Sequence, residues 1–141
     1  MALEIPYHAK TYELSNSVIW MEDGILYSSP KLSKVKQTRE VMLSDLEIFQ
    51  HVTDGKKVPI IAEAHRNPDS PPKEDRDFIA EKLELVTEAL ALITTNEVNK
   101  IMANIFFLFK PARYPMKMFT NVEDARLWLK SEKVSGRLMS L

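Results

Sequence analysis

Apolar and polar residues follow one another in blocks that predict strands near the N-terminus and helices further along the chain. Residues 11–21 end in an apolar run and form the first predicted strand, and residues 25–27 begin the second. Asp23-Gly24 lies between them, a pair typical of tight hairpin turns because glycine accepts a positive φ. The N-terminal part of the chain is therefore predicted to be a β-hairpin.

Beyond the hairpin, helical periods alternate with short apolar runs. In the first predicted helix, over residues 33–52, apolar residues recur at spacings of three, four and seven. The predicted elements that follow are, in turn, strand, helix, strand, helix, strand and helix, over residues 57–64, 71–85, 87–95, 97–109, 115–119 and 122–132. Strict alternation favours a parallel sheet with right-handed crossovers. The predicted fold is α/β: one domain over residues 1–133 with a mixed, mostly parallel four- to five-stranded sheet and about four helices, followed by a C-terminal tail over 134–141.

The composition excludes several kinds of site. The chain has no cysteine, so it lacks disulfides, thiolate metal ligands and cysteine nucleophiles. Its three glycines are far apart, whereas phosphate-binding loops and nucleophile elbows need clustered glycine. With 19 basic and 20 acidic residues the net charge is −1, which argues against nucleic-acid binding. We therefore predict a protein that is not an enzyme and has no catalytic residues, no metal and no cofactor.

The N-terminus and the longest apolar run bear on the expected cellular location of the protein. Residues 1–10 lack the basic stretch followed by an apolar run that marks a secretory signal. The longest apolar run, residues 101–109, is interrupted by Asn104 and is far shorter than the roughly 18 residues that a membrane span needs. We expect a cytoplasmic protein with no integral membrane segment.

Several short stretches, taken in order, resemble a family of small SpoIIAA-like (STAS-like) bacterial proteins. The resemblance covers about residues 12–130 and rests on Gly55-Lys56-Lys57-Val58-Pro59-Ile60-Ile61, Glu74-Asp75-Arg76-Asp77-Phe78, Met102-Ala103-Asn104-Ile105-Phe106, Tyr114-Pro115, Phe119-Thr120-Asn121, Glu123-Asp124-Ala125 and Trp128-Leu129-Lys130. It implies a SpoIIAA-like fold and a bacterial, cytoplasmic origin. It also implies a non-catalytic regulatory or protein-interaction role with an unknown protein partner, as in anti-sigma-factor antagonists.

Ser70 has more than one interpretation. Antagonist-type STAS domains place a phosphorylatable Ser or Thr at the start of the second helix, and Ser70 lies in the corresponding loop. Here Pro71-Pro72 follows it and no glycine is near. The favoured interpretation is an N-cap, whose side chain accepts a backbone hydrogen bond. The least favoured is a nucleophile with His65 and Asp69, since neighbours in sequence do not make a triad geometry.

Basic and polar residues occur in the loops that a parallel sheet brings to one edge. Ligands bind outside the carboxyl ends of parallel strands, where helix N-termini point. The predicted binding site at this edge consists of Lys31, Lys34, Arg66, Ser70 and Asn96. It would bind a phosphate, a carboxylate or an acidic partner, and the competing interpretation is a set of solvated side chains. A small-molecule, lipid or anion-binding domain is therefore the alternative function.

Two features of the predicted strands bear on assembly. Trp20 and Tyr27 could contact a second copy of the chain in a homodimer, although burial in the core is favoured for Trp20. Glu63 interrupts an apolar strand, which indicates either a partly open sheet face or an ion pair with Arg76 or Lys82.

Overall fold

The computed structural model describes residues 3–32, 35–64, 72–94 and 113–140, with the backbone alone for 132–140. Within these ranges one six-stranded sheet has its strands in sequence order: β1 (Thr11–Glu13), β2 (Ser17–Glu22), β3 (Ile25–Pro30), β4 (Val58–Glu63), β5 (Thr87–Ile93) and β6 (Met116–Phe119). The helices are α1 (Arg39–Val52), α2 (Lys73–Glu84) and α3 (Val122–Ser140). The pairs β1/β2 and β2/β3 are antiparallel, and the other three pairs are parallel. The predicted α/β class and mixed, mostly parallel sheet are confirmed, but the predicted number of strands is too low.

The additional strand comes from the N-terminal part of the sheet. The predicted strand over residues 11–21 is wrong as a single element, because a turn over 14–16 separates β1 from β2. The backbone N–H of Leu14 donates to the carbonyl of Ser17 at 2.8 Å and closes this turn. The predicted hairpin at Asp23-Gly24 is confirmed, since their φ angles of 53° and 78° are the two positive values that a type I′ turn requires.

Alternation along the strands sends apolar side chains to two cores, one on each side of the sheet. The first lies beneath α3, and we call that side the α3 face; its buried members include Trp20, Tyr27, Ile61, Ile93, Ala125 and Leu129. The second lies on the side of α1 and α2, which we call the α1/α2 face; its buried members are Ile19, Leu26, Ile60, Leu90 and Leu92. Trp20 and Tyr27 stack with their ring centroids 5.5 Å apart and are buried within the chain, so neither offers a surface to a second copy.

The first helix begins six residues later than predicted. Thr38 is its N-cap, and the Thr38 Oγ1 accepts a hydrogen bond from the backbone N–H of Val41 at 3.2 Å. The chain before the helix is tied to the β1–β2 turn, because Asn16 Nδ2 donates to the carbonyl of Val35 at 2.7 Å. Lys31 therefore precedes the helix, and an acidic residue, Glu40, occupies its first turn.

The caps of the other two helices are Pro72 and Asn121. Pro72 is the N-cap of α2 and makes no side-chain cap bond, so the prediction of Ser70 as N-cap is wrong. For α3 the cap is Asn121, whose Oδ1 accepts a hydrogen bond from the backbone N–H of Asp124 at 2.9 Å. The helix then continues to Ser140, through most of the predicted tail. The helix predicted over 97–109 lies outside the described residues.

Candidate functional site

A cavity of about 270 Å³ lies between the sheet and the two helices of the α1/α2 face. Its floor is formed by side chains of β4 and β5, and its walls by an apolar stripe on each helix. The apolar lining comprises Ile60, Leu90 and Leu92 from the sheet, Met42, Leu46 and Phe49 from α1, and Phe78, Ile79 and Leu83 from α2. This volume is close to the lower end of the range for small-molecule sites, about 300 Å³.

The stripe on each helix sets the walls of this cavity. Met42, Leu46 and Phe49 recur at helical spacing on one side of α1, as predicted. Neither α1 nor α2 has a fully buried residue, and the α2 side chains Phe78 and Leu83 are half-buried. The described side chains of the two helices and the sheet leave space between them.

Polar groups at one end of the cavity are already satisfied by the protein. Asp45 accepts two hydrogen bonds from Ser15, one from the backbone N–H at 2.9 Å and one from the hydroxyl group. Gln37 Nε2 donates to Ser15 Oγ at 2.9 Å. This network ties the β1–β2 turn to α1. It therefore has a structural role and does not need a ligand to complete it.

The polar groups at the opposite end differ. Thr87 is 2% exposed, and its Oγ1 has no hydrogen-bond partner among the described residues. Tyr114 also lines the cavity, and burial and then the negative charge of Glu84 raise its pKa to about 12, so its phenol stays protonated at neutral pH. The ammonium of Lys82 lies 5.4 Å from the centroid of the Phe78 ring. This end thus holds a buried hydroxyl whose hydrogen-bonding capacity is unused.

An irregularity in the sheet places Thr87 at the cavity. Val58 pairs with Thr87, but the next residue, Pro59, pairs with Ala89, so Glu88 is an extra residue in β5. Val58 shares a sheet face with Ile60, and the residue opposite Val58 therefore also faces the cavity. Without the extra residue, counting back from Leu90 would place Glu88 there. The shift occurs where Pro59 has no N–H for the ladder, a usual position for proline in a sheet.

The residues of the predicted anion site are only partly described. Lys31 lies at the carboxyl end of β3, and its Nζ is 3.5 Å from Glu13 Oε1. Lys34, Arg66, Ser70 and Asn96 lie outside the described residues, as do His65 and Asp69. Anion binding at this edge therefore stays a prediction. The one predicted residue that the structure describes, Lys31, forms an ion pair with Glu13.

A second pocket, of about 310 Å³, lies on the α3 face, and polar groups of its lining are paired with one another. Arg126 Nε donates to the Tyr27 hydroxyl at 2.8 Å, and Arg126 Nη2 lies 3.8 Å from Glu22 Oε1. The hydrogen bond to Tyr27 is the main cause that raises the pKa of Arg126. On the same side, Glu63 Oε1 accepts a hydrogen bond from the backbone N–H of Leu3 at 3.0 Å. We conclude that these groups stabilise the fold and do not form a ligand-binding site.

Comparison with known proteins places the chain in a family. A family model described as a domain of unknown function (DUF7793) matches residues 19–133. The chain belongs to this family. The match includes β4, β5 and Tyr114, and thus most of the cavity lining. No curated protein and no solved structure matches the chain.

The described ranges contain neither a metal-binding cluster nor a membrane-spanning helix. There, no three histidine, aspartate or glutamate side chains come together in a way that would hold a metal ion. No helix among the described residues is both long enough and apolar enough to cross a bilayer. The cavity on the α1/α2 face is therefore the feature of the described structure on which a functional proposal can be built.

Proposed function

We propose that this chain is a non-catalytic binding domain for a small, largely apolar molecule held on the α1/α2 face. The cavity of about 270 Å³ carries this proposal. Small-molecule sites are typically concave and mostly apolar, with a few polar groups that fix orientation. Water in such a space forms few hydrogen bonds, so its displacement by an apolar ligand is favourable.

The polar groups around the cavity support binding without catalysis. Asp45 is engaged by Ser15, and Tyr114 keeps its proton. Neither histidine of the described part of the chain, His8 or His51, lines the cavity. General acid–base catalysis needs a positioned group that can exchange a proton near the operating pH. Among the described lining residues, no hydrogen-bonded acid–base pair of this kind occurs.

We also propose that ligand binding serves the regulatory or protein-interaction role expected from the resemblance, by controlling whether a partner protein binds. A bound molecule would contact α1 and α2 together, and these helices touch each other through few groups, including the 3.0 Å ion pair of Arg39 with Asp75. Occupancy would therefore stabilise one arrangement of the two helices. A partner that recognises their outer surface would then distinguish the occupied from the empty protein.

Binding of two simple probes tests the proposal. Toluene and octanol should each release heat or raise the melting temperature of the wild-type protein at millimolar concentration. Leu46→Trp places a large ring in the cavity from α1 and should weaken both probes at least fivefold. Leu127→Trp is the matched control, because Leu127 is on α3, across the sheet, and is 66% exposed.

The outcomes distinguish binding in the cavity from non-specific hydrophobic association with the protein surface. Wild-type affinity in Leu127→Trp with weakened binding in Leu46→Trp supports the proposal. Equal weakening in both variants, or no response of the wild-type protein to either probe up to its solubility limit, contradicts it. Melting curves of the probe-free variants confirm that each is folded.

A further inference from the structure

The unused hydroxyl of Thr87 points to the chemistry of the ligand. A buried hydroxyl without a partner lowers the stability of a protein, and such groups are rare in native structures. Thr87 is 2% exposed and lines the cavity. The register shift at Pro59 turns this residue, and not the adjacent Glu88, toward the α1/α2 face. The sheet geometry thus brings a buried hydroxyl without a partner among the described residues into the cavity, whose lining also includes Tyr114 and Lys82.

The neighbouring strands offer few hydrogen-bonding partners to a water molecule at Thr87. An ordered buried water usually makes about three hydrogen bonds to polar groups of the protein. The side chains beside Thr87 on this face are apolar, Val58 across the strand pair and Leu90 further along β5. A molecule that brings its own apolar body and one polar atom fits these surroundings better.

We infer that Thr87 Oγ1 forms a hydrogen bond with an uncharged, oxygen-bearing head, a hydroxyl or a carbonyl, of the molecule bound in the cavity. This inference rests on the proposed function and adds the chemical class of the ligand: an apolar body with a neutral polar end. The body lies along Leu90 and Leu92, and the head reaches the amino end of β5.

The charges near this end favour a neutral head over a carboxylate. Glu84 is the nearby acid, and its Oε1 is 3.7 Å from Arg113 Nε, so that pair is satisfied within the chain. The same acid disfavours an anion at Tyr114. Among the described lining residues Lys82 is the cation, and its ammonium lies over the Phe78 ring. Burial of an ionised head against a single hydroxyl would lose more solvation than one hydrogen bond returns.

Three probes and two variants test the inference. Toluene has no polar head, octanol has a neutral one and octanoate an ionised one at neutral pH. The wild-type protein should bind octanol at least tenfold more tightly than octanoate. Thr87→Val should weaken octanol about tenfold and leave toluene unchanged, because only the hydroxyl is lost. Thr87→Ser keeps the hydroxyl and should retain most of the octanol affinity.

Each result has a distinct meaning. If toluene and octanol bind the wild-type protein but Thr87→Val binds octanol equally well, the inference is wrong and the proposed function stands. Tighter binding of octanoate than of octanol also overturns it. If no probe binds the wild-type protein, the proposed function itself fails. Unchanged toluene affinity in Thr87→Val shows that the variant has kept its cavity.

Discussion

The two faces of one sheet are packed to different degrees in this molecule. On the α3 face, Ala125 and Leu129 reach 0% and 2% exposure against the strands. On the α1/α2 face, neither helix buries any residue completely, and a cavity of about 270 Å³ lies beneath them. A pocket of about 310 Å³ is also present on the α3 face, but charged residues such as Glu22 and Arg126 line it. The two faces therefore differ in how deeply their helices are buried and in the apolar character of the space beside them.

This difference separates the part of the core that stabilises the fold from the part that leaves room for a second molecule. Well-packed interiors lose stability when any side chain shrinks, because the surroundings collapse only partly. An existing cavity has already lost those contacts, so shrinking a side chain at its wall changes less. Matched substitutions on the two faces should therefore lower the free energy of unfolding by different amounts.

The largest expected effect is from leucine truncation on the α3 face. Leu129→Ala should lower the free energy of unfolding by about 3 kcal/mol, whereas Leu46→Ala on α1 should lower it by about 1 kcal/mol. Both changes replace leucine by alanine within a helix, so helix propensity cancels in the comparison. Urea unfolding of the two variants measures the difference. Equal losses would show that α1 packs on the sheet as tightly as α3 does.

Much of the sheet follows from sequence because its signals are local. Asp23-Gly24 specifies its own turn through two positive φ angles, and the apolar run of β5 marks a buried strand wherever it lies. Helix starts were less predictable, because Thr38 and Ser33 are both acceptable caps. The contact of Asn16 with residue 35, distant in sequence, accompanies the later start.

The candidate site was predictable only in part, for a physical reason. The spacing of Met42, Leu46 and Phe49 shows which side of α1 faces the sheet, but periodicity carries no information about how closely the two pack. The orientation of Thr87 depends on pairing with Val58, 29 positions away, and on one extra residue in β5. Simple alternation would have assigned the position to Glu88.

A smaller effect is expected from pH, and it originates on the α1/α2 face. The pKa of Tyr114 rises from its ordinary value of 10.0 to about 12 in the folded protein, mainly through burial. Between these values the unfolded chain has released a proton that the folded chain still holds, so stability should fall as pH rises from 10 to 12. The loss should approach about 2 kcal/mol.

Paired unfolding curves isolate this contribution from other groups that titrate at high pH. Tyr114→Phe should lose less stability than the wild-type protein over that range. Tyr7→Phe, which alters a fully exposed ring, controls for the removal of a tyrosine. If wild-type protein and Tyr114→Phe lose stability in parallel, the phenol is not buried at the cavity.

The smallest effect has the opposite sign and tests the cavity at a single atom. Without ligand, Thr87→Val should raise the free energy of unfolding by about 1 kcal/mol, since a methyl group replaces a buried hydroxyl that has no partner among the described residues. Thr53→Val is the matched control: Thr53 is 6% exposed, but its Oγ1 donates to the carbonyl of Phe49 at 3.1 Å. That variant should lose about 1 kcal/mol.

Opposite signs at two similarly buried threonines would mean that one hydroxyl serves the fold and the other does not. Urea unfolding of both variants measures the signs directly. A stability loss in Thr87→Val equal to that in Thr53→Val would indicate that the protein itself satisfies the Thr87 hydroxyl. A gain would show that the fold bears a cost at this position, and a group that lowers the stability of the empty protein is more readily explained by binding than by folding.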